Sequence, residues 1–467
     1  MIARYLALAG SILAAAPALA QSDPTEAEFR ATYKELVETN TTLSAGSCTL
    51  AAERMAARLK AAGFADSDLH IIVEPAHPKE GGLVAVLPGT DSKAKAILLL
   101  AHIDVVEANR DDWQRDPFTL VEENGYFYAR GSADDKAQAA VWVDTLVRFK
   151  RENYRPKRTI KMALTCGEET AGAFNGAQYL AAHERDLIDA EFALNEGAGG
   201  LLDDQGKRII LNIQAGEKFP QNYRFEVTNP GGHSSRPVKE NAIYRLSDAL
   251  VRLRAYDFPF ESNDATRGYF GAMAKLTPGA VGQAMAAFAA NPADAQAATT
   301  IAAAEPAWNG ILHTTCVATR LDGGHATNAL PQKAGANVNC RIFPGTSVEQ
   351  VRQALERIVA DPQVKITTLE TRSEISPPPP LDDRIMGPAR KIAEEVFPGV
   401  PLVPLMAAGG TDGAFLTPAG IPTYGISGFF SNAEGSHAHG LDERMGVQSL
   451  MDGRRFLYKL VKAYTAR

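Results

Sequence analysis

Short groups of histidine and acidic residues stand at the ends of several apolar segments in the 467-residue sequence. The first group is His102, which ends the apolar run 96–101, together with Asp104, which lies on the same face of an extended chain. A histidine followed by a carboxylate in this way is typical of a metal ligand and the acid that orients it. A lone His102 would more often be a hydrogen-bonded core residue, but the pattern recurs in four further segments: 130–136, 167–170, 195–200 and 436–440.

These groups supply two histidines and three carboxylates, a donor set that suits Zn²⁺ and, less selectively, Mn²⁺ or Co²⁺. One carboxylate shared between two ions would give a two-metal site. Glu168 and Glu169 are adjacent, and successive side chains do not easily face the same ion. We therefore expect one of them to be a ligand and the other a general base. A single Glu-Glu pair is more often a solvated loop end, but five polar groups at strand ends favour the metal site.

The surrounding elements alternate between strands and helices. Strands are predicted at 70–73, 82–87, 96–103, 159–165 and 191–194, and helices at 25–63 (with a break near Gly46), 137–150 and 176–183. This alternation indicates an α/β fold with a doubly wound, mostly parallel sheet. In such sheets, ligands bind at the carboxyl ends of the strands, where the polar groups stand.

The pattern changes near residue 216. A strand with period-2 alternation at 223–227 begins a series of elements that continues with a helix at 240–256, strands at 311–320 and 334–343, a helix at 347–359 and a strand at 364–369. This order is the β-α-β-β-α-β, ferredoxin-like arrangement. The alanine-rich segment 278–304 is predicted to be helical, since alanine is a strong helix former.

After the stiff proline-rich linker 376–380, a helix at 385–397 and strand-like segments at 401–406 and 421–427 resume the first style. We therefore predict a catalytic domain in two parts, 21–215 and 376–467. A smaller domain at 216–375 is inserted between them.

Together, the motifs resemble those of the co-catalytic zinc exopeptidase and aminoacylase family. That family includes glutamate carboxypeptidase, succinyl-diaminopimelate desuccinylase, acetylornithine deacetylase and carnosinase. The resemblance extends over about residues 80–445 and rests on His102-x-Asp104, Gly131-x-x-Asp134-Asp135-Lys136, Glu168-Glu169, Asn195-Glu196-Gly197 and His439-Gly-x-Asp442-Glu443.

The resemblance implies a role for each matching residue. Asp134 would bridge two zinc ions, with His102 and Glu196 on one ion and Glu169 and His439 on the other. His437 lies two residues before His439, so the choice of ligand rests on the Gly-x-Asp-Glu that follows His439.

The remaining implied roles concern catalysis and the substrate. Glu168 would be the general acid and base, and Asp104 would hold His102. The inserted domain would be a lid and dimerisation module, and its His233 would reach the partner subunit's site and stabilise the oxyanion. Asn328 and Arg341 would hold the substrate carboxylate, for which the planar fork of an arginine is suited.

Composition limits the function classes. The net charge is −7 and no block of lysine and arginine is present, so nucleic-acid and anionic-membrane partners are not expected. Residues 1–20 have the features of a secretory signal peptide: a basic Arg4, a short apolar run and an Ala-x-Ala cleavage site before Gln21. We expect a protein exported across the inner membrane to the periplasm. Four cysteines are too few for a disulfide-built scaffold, and Cys316 and Cys340 are as compatible with free thiols as with a disulfide.

The sequence therefore predicts an exported, homodimeric dizinc hydrolase that cleaves a peptide or amide bond next to a free carboxylate. A carboxypeptidase-like exopeptidase is favoured, and an N-acyl-amino-acid amidohydrolase or a dipeptidase is the alternative. A non-catalytic peptide- or metal-binding protein is disfavoured because binding alone needs no general base. A two-metal phosphatase is disfavoured because no basic, glycine-rich phosphate cradle lies near the ligands.

Overall fold

A computed structural model describes residues 25–170, 174–369 and 375–466 of the chain. The predicted signal peptide, residues 1–20, lies outside the described residues. None of the helices in these ranges combines the length and the apolar character needed to cross a lipid bilayer.

The first part of the chain alternates between helices and strands, as predicted. Its elements are α1 (Glu26–Glu38), α2 (Cys48–Ala61), β1 (Leu69–Ile72), β2 (Gly82–Leu87), β3 (Ile97–His102), β4 (Val121–Glu123), β5 (Tyr126–Tyr128), α3 (Lys136–Arg151), β6 (Ile160–Thr165), α4 (Gly176–His183), α5 (Arg185–Ile188), β7 (Phe192–Asn195), β8 (Gly200–Leu202) and β9 (Arg208–Glu217).

The middle part begins directly after Lys218. Its elements are β10 (Phe219–Thr228), β11 (Gly232–His233), α6 (Ala242–Arg254), α7 (Asp264–Met273), α8 (Gly279–Ala290), α9 (Ala295–Ala304), α10 (Pro306–Gly310), β12 (Thr315–Gly323), β13 (Ala329–Leu330), β14 (Lys333–Ile342), α11 (Val348–Val359) and β15 (Lys365–Thr368).

The last part again alternates between helices and strands, as the first part does. It consists of α12 (Asp383–Val396), β16 (Leu402–Ala407), α13 (Gly413–Leu416), β17 (Thr423–Gly425), β18 (Phe430–Ser431), β19 (Arg444–Gly446) and α14 (Val447–Thr465). The sequence analysis did not assign α14, although its buried Leu450, Leu457, Leu460 and Val461 follow helical spacing.

A ten-stranded sheet carries the site, in the order β1-β2-β6-β3-β7-β17-β9-β8-β18, with β16 also paired to β9. Its central strands β6, β3, β7 and β17 are parallel, and every residue of β3 is buried, which explains its continuous apolar sequence. His102 is opposite Thr165 in the ladder between β3 and β6. The ends of neighbouring strands therefore meet at one edge of the sheet, and the expected doubly wound α/β architecture is confirmed.

The expected ferredoxin-like unit is also present. Its four-stranded antiparallel sheet has the order β12-β14-β10-β15, and α6 and α11 pack with it around a separate apolar core. Residues such as Phe225, Val338 and Leu355 are completely buried in that core.

Helices α7–α10 interrupt this unit between α6 and β12. The alanine-rich segment is helical as predicted, but it forms the two helices α8 and α9. Phe270, Phe288 and Ile301 pack into the core of the large sheet rather than that of the four-stranded sheet. Helix α7 lies against β16, where the Asn263 amide donates to Met406 Sδ over 3.1 Å. We keep 21–215, 216–375 and 376–467 as the proposed domain boundaries, with these helices as a bridge.

The structure forms two disulfides. One joins Cys316 and Cys340, the pair that the sequence left open. The other joins Cys48 and Cys166 across 118 residues of sequence and was not anticipated. Separation in sequence hides such a pair, since only the fold brings the start of α2 next to the end of β6.

Candidate metal centre

Each predicted ligand stands at or close to the end of a helix or strand, and three of the five follow or end strands of the large sheet. His102 is the last residue of β3, and Glu196 directly follows β7. Asp134 precedes α3, Glu169 follows β6 in a loop, and His439 lies in the segment before β19. The parallel strands end at the same edge, so these loops converge.

Asp134 lies between the two histidines. Its Oδ1 is 3.1 Å from His102 Nε2, and its Oδ2 is 3.3 Å from His439 Nε2. Glu196 Oε2 is 3.5 Å from His102 Nε2 on one side, and Glu169 Oε1 is 2.9 Å from His439 Nε2 on the other. The residues thus form two donor clusters that share one carboxylate, and His437 is outside them because its Nδ1 is 2.8 Å from Asp442.

The spacing of the donors fits a metal ion. Two donors held by one tetrahedral zinc, each about 2.0–2.1 Å from the ion, are about 3.3 Å apart. The four separations just given scatter around this value. Nitrogen and carboxylate oxygen are also the donors that zinc and related ions accept. These side chains therefore fit divalent metal ions. Two groups of three donors lie close enough together to share one ion: His102, Asp134 and Glu169, and His102, Glu168 and Glu196.

The electrostatics of the cluster lead to the same conclusion. Burial, together with the charge of Glu196, raises the pKa of Glu168 to about 10, and burial raises the pKa of Glu169 to about 7. The hydrogen bond to Asp134, with the charge of Glu169, raises the pKa of His439 to about 9. Carboxylates crowded in this way are poorly stabilised as anions by the protein alone, and a bound dication supplies the missing positive charge.

Asp104 organises one side of the site. His102 Nδ1 is 3.1 Å from the backbone oxygen of Asp104 and 3.5 Å from its carboxylate. The same carboxylate accepts hydrogen bonds from the backbone N–H groups of Glu168 (3.3 Å) and Glu169 (3.1 Å). Asp104 therefore orients the His102 ring and the Glu168-Glu169 loop together.

Glu443 organises the other side, a role that the sequence analysis did not assign although Glu443 belongs to a quoted motif. Its buried carboxylate accepts from the Arg130 guanidinium (2.7 Å) and from the backbone N–H groups of Gly131 (3.0 Å), Ala133 (2.9 Å) and Asp134 (3.1 Å). Arg130 also donates to the backbone oxygen of His439 over 3.3 Å. Glu443 thus holds the turn that carries Asp134 and links it to the His439 segment.

Asp412 is a further buried acid that the sequence analysis missed. It accepts hydrogen bonds from Thr165 Oγ1 (2.7 Å) and from the Asn175 amide (2.8 Å), and burial raises its pKa to about 6. The signal was available, because the Gly-Gly-Thr-Asp segment 409–412 follows strand β16 as the other polar groups follow theirs.

A cavity of about 310 Å³ adjoins the acids and extends to the four-stranded sheet. Glu168 and Glu169 line one side, and Arg341 of β14 lines the other. Burial lowers the pKa of Arg341, and its side chain has no hydrogen bond or ion pair within the described part of the chain. The rest of the lining includes apolar side chains, among them Phe219 and Phe415, and the amides of Asn222 and Asn339.

The structure does not bring His233 and Asn328 to this cavity. Both are exposed and lie together on the small β11–β13 ladder, where Ser234 N donates to the backbone oxygen of Asn328 over 3.1 Å. Within one chain, therefore, the site lacks two of the residues that the resemblance implies.

Comparison with known proteins identifies the family. The model described as Peptidase family M20/M25/M40 matches residues 98–463. The chain belongs to this family. It is accordingly a metal-dependent hydrolase of peptide or amide bonds, as the motifs predicted.

One relative by sequence is the human N-fatty-acyl-amino acid synthase/hydrolase PM20D1, with 30% identity over 386 residues, 80% of this chain and 75% of that protein. Among solved structures, the M20 family metallo-carboxypeptidase Sso-CP2 from Sulfolobus solfataricus has a TM-score of 0.71 at 18% identity, over 94% of this chain and 100% of its own. The Bacillus subtilis YxeP protein, titled a dinuclear metal-binding peptidase of the M20 family, has a TM-score of 0.60 at 14% identity, over 94% of this chain and 98% of its own.

Replacing Glu443 by glutamine should weaken metal binding by about 10- to 100-fold, the range typical of residues that orient metal ligands. The amide cannot accept at all four of the Glu443 hydrogen bonds. Competition between the metal-free protein and a chelator for Zn²⁺ measures the effect. Glu434→Gln is the matched control, because Glu434 is two-thirds exposed and pairs only with Arg444 among the described residues. Unchanged zinc affinity in Glu443→Gln would contradict this role.

Proposed function

We propose that the chain hydrolyses an amide bond whose amine side carries a free carboxylate. The observation that carries this proposal is the half-buried Arg341 guanidinium, which has no hydrogen bond or ion pair within the described residues and shares one cavity with Glu168 and the predicted ligand Glu169. A planar guanidinium without a protein partner suits a substrate carboxylate, which it can bind through two parallel hydrogen bonds.

Two zinc ions are the cofactor that we propose. His102, Glu196 and Asp134 would hold one ion, and Asp134, Glu169 and His439 the other. When bound, the ions supply Lewis-acid activation of a water molecule and of the scissile carbonyl. Glu168 lies close enough to His102 and Glu196 to be a donor to the same ion, but we assign it as the base because the adjacent Glu169 already pairs with His439. Glu168 would take the proton of the attacking water and then deliver it to the leaving amine.

N-acyl amino acids are the substrate class that the chain favours. The cavity lining includes the apolar Phe219, Ala414 and Phe415, which suit an acyl chain better than a charged peptide terminus, together with the uncharged amides of Asn222 and Asn339. The sequence relative named for N-fatty-acyl-amino acids supports this preference. A carboxypeptidase-like activity, which the sequence analysis favoured, is the second candidate, since the structural likeness to a metallo-carboxypeptidase and the role of Arg341 agree with it as well.

A homodimer formed through the lid is also proposed. Strand β12 is an edge strand of the four-stranded sheet, and its Val317 and Leu321 are 60% and 71% exposed. The adjacent α6 exposes Tyr244 and Val251. An exposed apolar edge strand is a template for pairing with a second chain. Such pairing would allow His233 of one chain to serve the site of the other.

Export to the periplasm is the remaining proposal. All four cysteines of the sequence form disulfides, which persist in oxidising compartments and are rare in the cytosol. The disulfides support the signal peptide predicted at residues 1–20.

Replacing Glu168 by glutamine should lower kcat by at least about 10²-fold while both ions stay bound, since the variant loses the base but keeps the shape. Glu169→Gln is the matched comparison and should lose one ion as well as activity. Hydrolysis rates together with elemental analysis of zinc test both variants. If Glu168→Gln lost an ion and Glu169→Gln kept both, the two roles would have to be exchanged.

Amidation of the substrate carboxylate should lower kcat/KM by roughly 10- to 100-fold, because the half-buried guanidinium then lacks its charged partner. The substrates are an N-acetyl amino acid, a long-chain N-acyl amino acid, a dipeptide and an N-acetyl-dipeptide, each with its amide. Arg341→Gln should abolish the discrimination between acid and amide, whereas Lys333→Gln, at an exposed site on the same strand, should retain it. A preference for the dipeptide with a free amine, indifferent to amidation, would overturn the substrate assignment.

Leu321→Arg should convert the dimer to a monomer, because it places a charge in the apolar edge that the second chain would cover. Sedimentation velocity measures the mass, and activity should fall together with the dimer. Leu276→Arg is the matched control, since Leu276 is 43% exposed on the helical insertion away from β12. A fully active wild-type monomer would remove the proposed function of His233 in trans.

Cleavage of the signal peptide should leave Gln21 as the first residue of the natural protein. N-terminal sequencing of the protein from periplasmic and cytosolic fractions checks this. Recovery of the intact chain beginning at Met1 from the cytosol alone would contradict export.

A further inference from the structure

The loop that carries Glu168 and Glu169 begins immediately after a disulfide. Strand β6 ends at Thr165, Cys166 follows, and Gly167 turns the chain with φ of +94°. Glu168 is therefore only two residues from the disulfide. A displacement of Cys166 is transmitted directly to the proposed base and to the ligand beside it.

Several other contacts hold the described part of this loop, including that of Glu169 Oε1 with His439 Nε2 at 2.9 Å. Asp104 accepts the N–H groups of Glu168 and Glu169, and the Asn175 amide donates to the backbone oxygen of Gly167 over 3.1 Å. Cys166 itself accepts from Gly176 N over 2.7 Å. These hydrogen bonds tie the loop to Asp104 and to the start of α4, which packs in a different core cluster from α2. They do not tie the loop to α2.

The disulfide supplies that tie. Its other half, Cys48, is the first residue of α2, and the inner face of this helix is fully buried through Ala51, Met55 and Leu59. The helix begins with a cap in which Ser47 Oγ accepts from Leu50 N over 3.1 Å. Cys166 is thus bonded to an element that packing and capping hold in place.

The second disulfide joins two residues that the sheet already holds together. Cys316 and Cys340 are direct partners in the antiparallel ladder between β12 and β14, which already fixes their separation. Neither cysteine is close in sequence to a predicted metal ligand. The chain therefore contains one disulfide beside the ligand loop and one in the lid sheet.

We propose that the Cys48–Cys166 disulfide is a positioning element for the metal centre, which holds Glu168 and Glu169 against the Asp134 cluster by anchoring the start of their loop to α2. This inference rests on the proposed function for the identity of the site. It assigns to two cysteines far from each other in sequence a part in metal binding rather than in stability alone.

The test compares two double variants, Cys48→Ala/Cys166→Ala and Cys316→Ala/Cys340→Ala, in the full chain. Zn²⁺ binding to each metal-free protein is measured by competition with a chelator, and amide exchange at Glu168 and Glu169 by mass spectrometry. Loss of the Cys48–Cys166 bond should weaken binding of one of the two ions by about 10- to 100-fold and speed exchange at both amides. Loss of the Cys316–Cys340 bond should change neither, even where it lowers Tm. Equal zinc affinity in the wild type and the Cys48→Ala/Cys166→Ala variant, or equal losses in the two variants, would overturn the proposal.

A measurement on the wild-type chain covers the case in which the variant does not fold. Both Cys48 and Cys166 line a cavity of about 190 Å³, through which a small phosphine can reach them. The phosphine attacks one sulfur, the S–S bond breaks, and water converts the phosphine to its oxide while both sulfurs become thiols. Because the phosphine also reduces Cys316–Cys340, the same treatment is applied to the Cys316→Ala/Cys340→Ala chain, in which only Cys48–Cys166 can react. Zinc titration after the reagent has been removed under nitrogen should show the same loss in both chains, and unchanged affinity would overturn the proposal. Since no substrate is used, an error in the substrate class leaves the result unaffected, and a wild-type chain that binds no zinc would overturn the proposed function instead.

Discussion

Two buried carboxylates, Asp104 and Glu443, hold the loops on which the metal-binding residues stand. Each accepts backbone N–H groups from a segment that carries ligands: Asp104 from Glu168 and Glu169, and Glu443 from the turn that ends at Asp134. Loops have no ladder of their own to fix them, and a buried anion needs donors around it. Here the loop N–H groups are the donors that the buried carboxylates require, and the carboxylates fix the loops. The predicted ligands are therefore positioned by hydrogen bonds to acids that do not belong to the donor clusters.

This arrangement explains which parts of the site the sequence could reveal. A ligand at a strand end, such as His102 or Glu196, is visible because a buried strand is an apolar run and a polar residue interrupts it. The supporting residues are harder to find. Glu443 acts on a turn more than 300 residues earlier in the chain, and the Cys48–Cys166 bond spans 118 residues. Neither contact produces a local sequence pattern, because its two partners become neighbours only when the chain has folded.

The same reasoning separates the residues of the lid. The alternation of residues 223–227 and the order of the elements after them were sufficient to predict the four-stranded sheet, and Arg341 on β14 lines the cavity that Glu168 and Glu169 also line. His233 and Asn328 lie on a short exposed ladder, and their position relative to a site depends on a second chain that a single sequence does not describe. The packing of α7 on β16 could not be predicted either. The amphipathic pattern of a helix shows that one face is buried, but it does not show against which core that face packs.

The lid and the sheet are therefore not independent units. Strand β9 continues into β10 through Lys218, whose buried ammonium donates to the backbone oxygens of Gly310 and His313 (both 2.7 Å) and to Thr315 Oγ1 (3.0 Å). This crossover, together with α7, limits how far Arg341 can move from the metal ligands. In the proposed function, the substrate carboxylate would bind to the lid and the amide would react at the large sheet, so substrates would be selected by the distance between those two groups. The rest of the cavity lining mixes apolar side chains, such as Phe219 and Phe415, with the amides of Asn222 and Asn339. In the proposed function, the acyl group would therefore be held less strictly than the carboxylate.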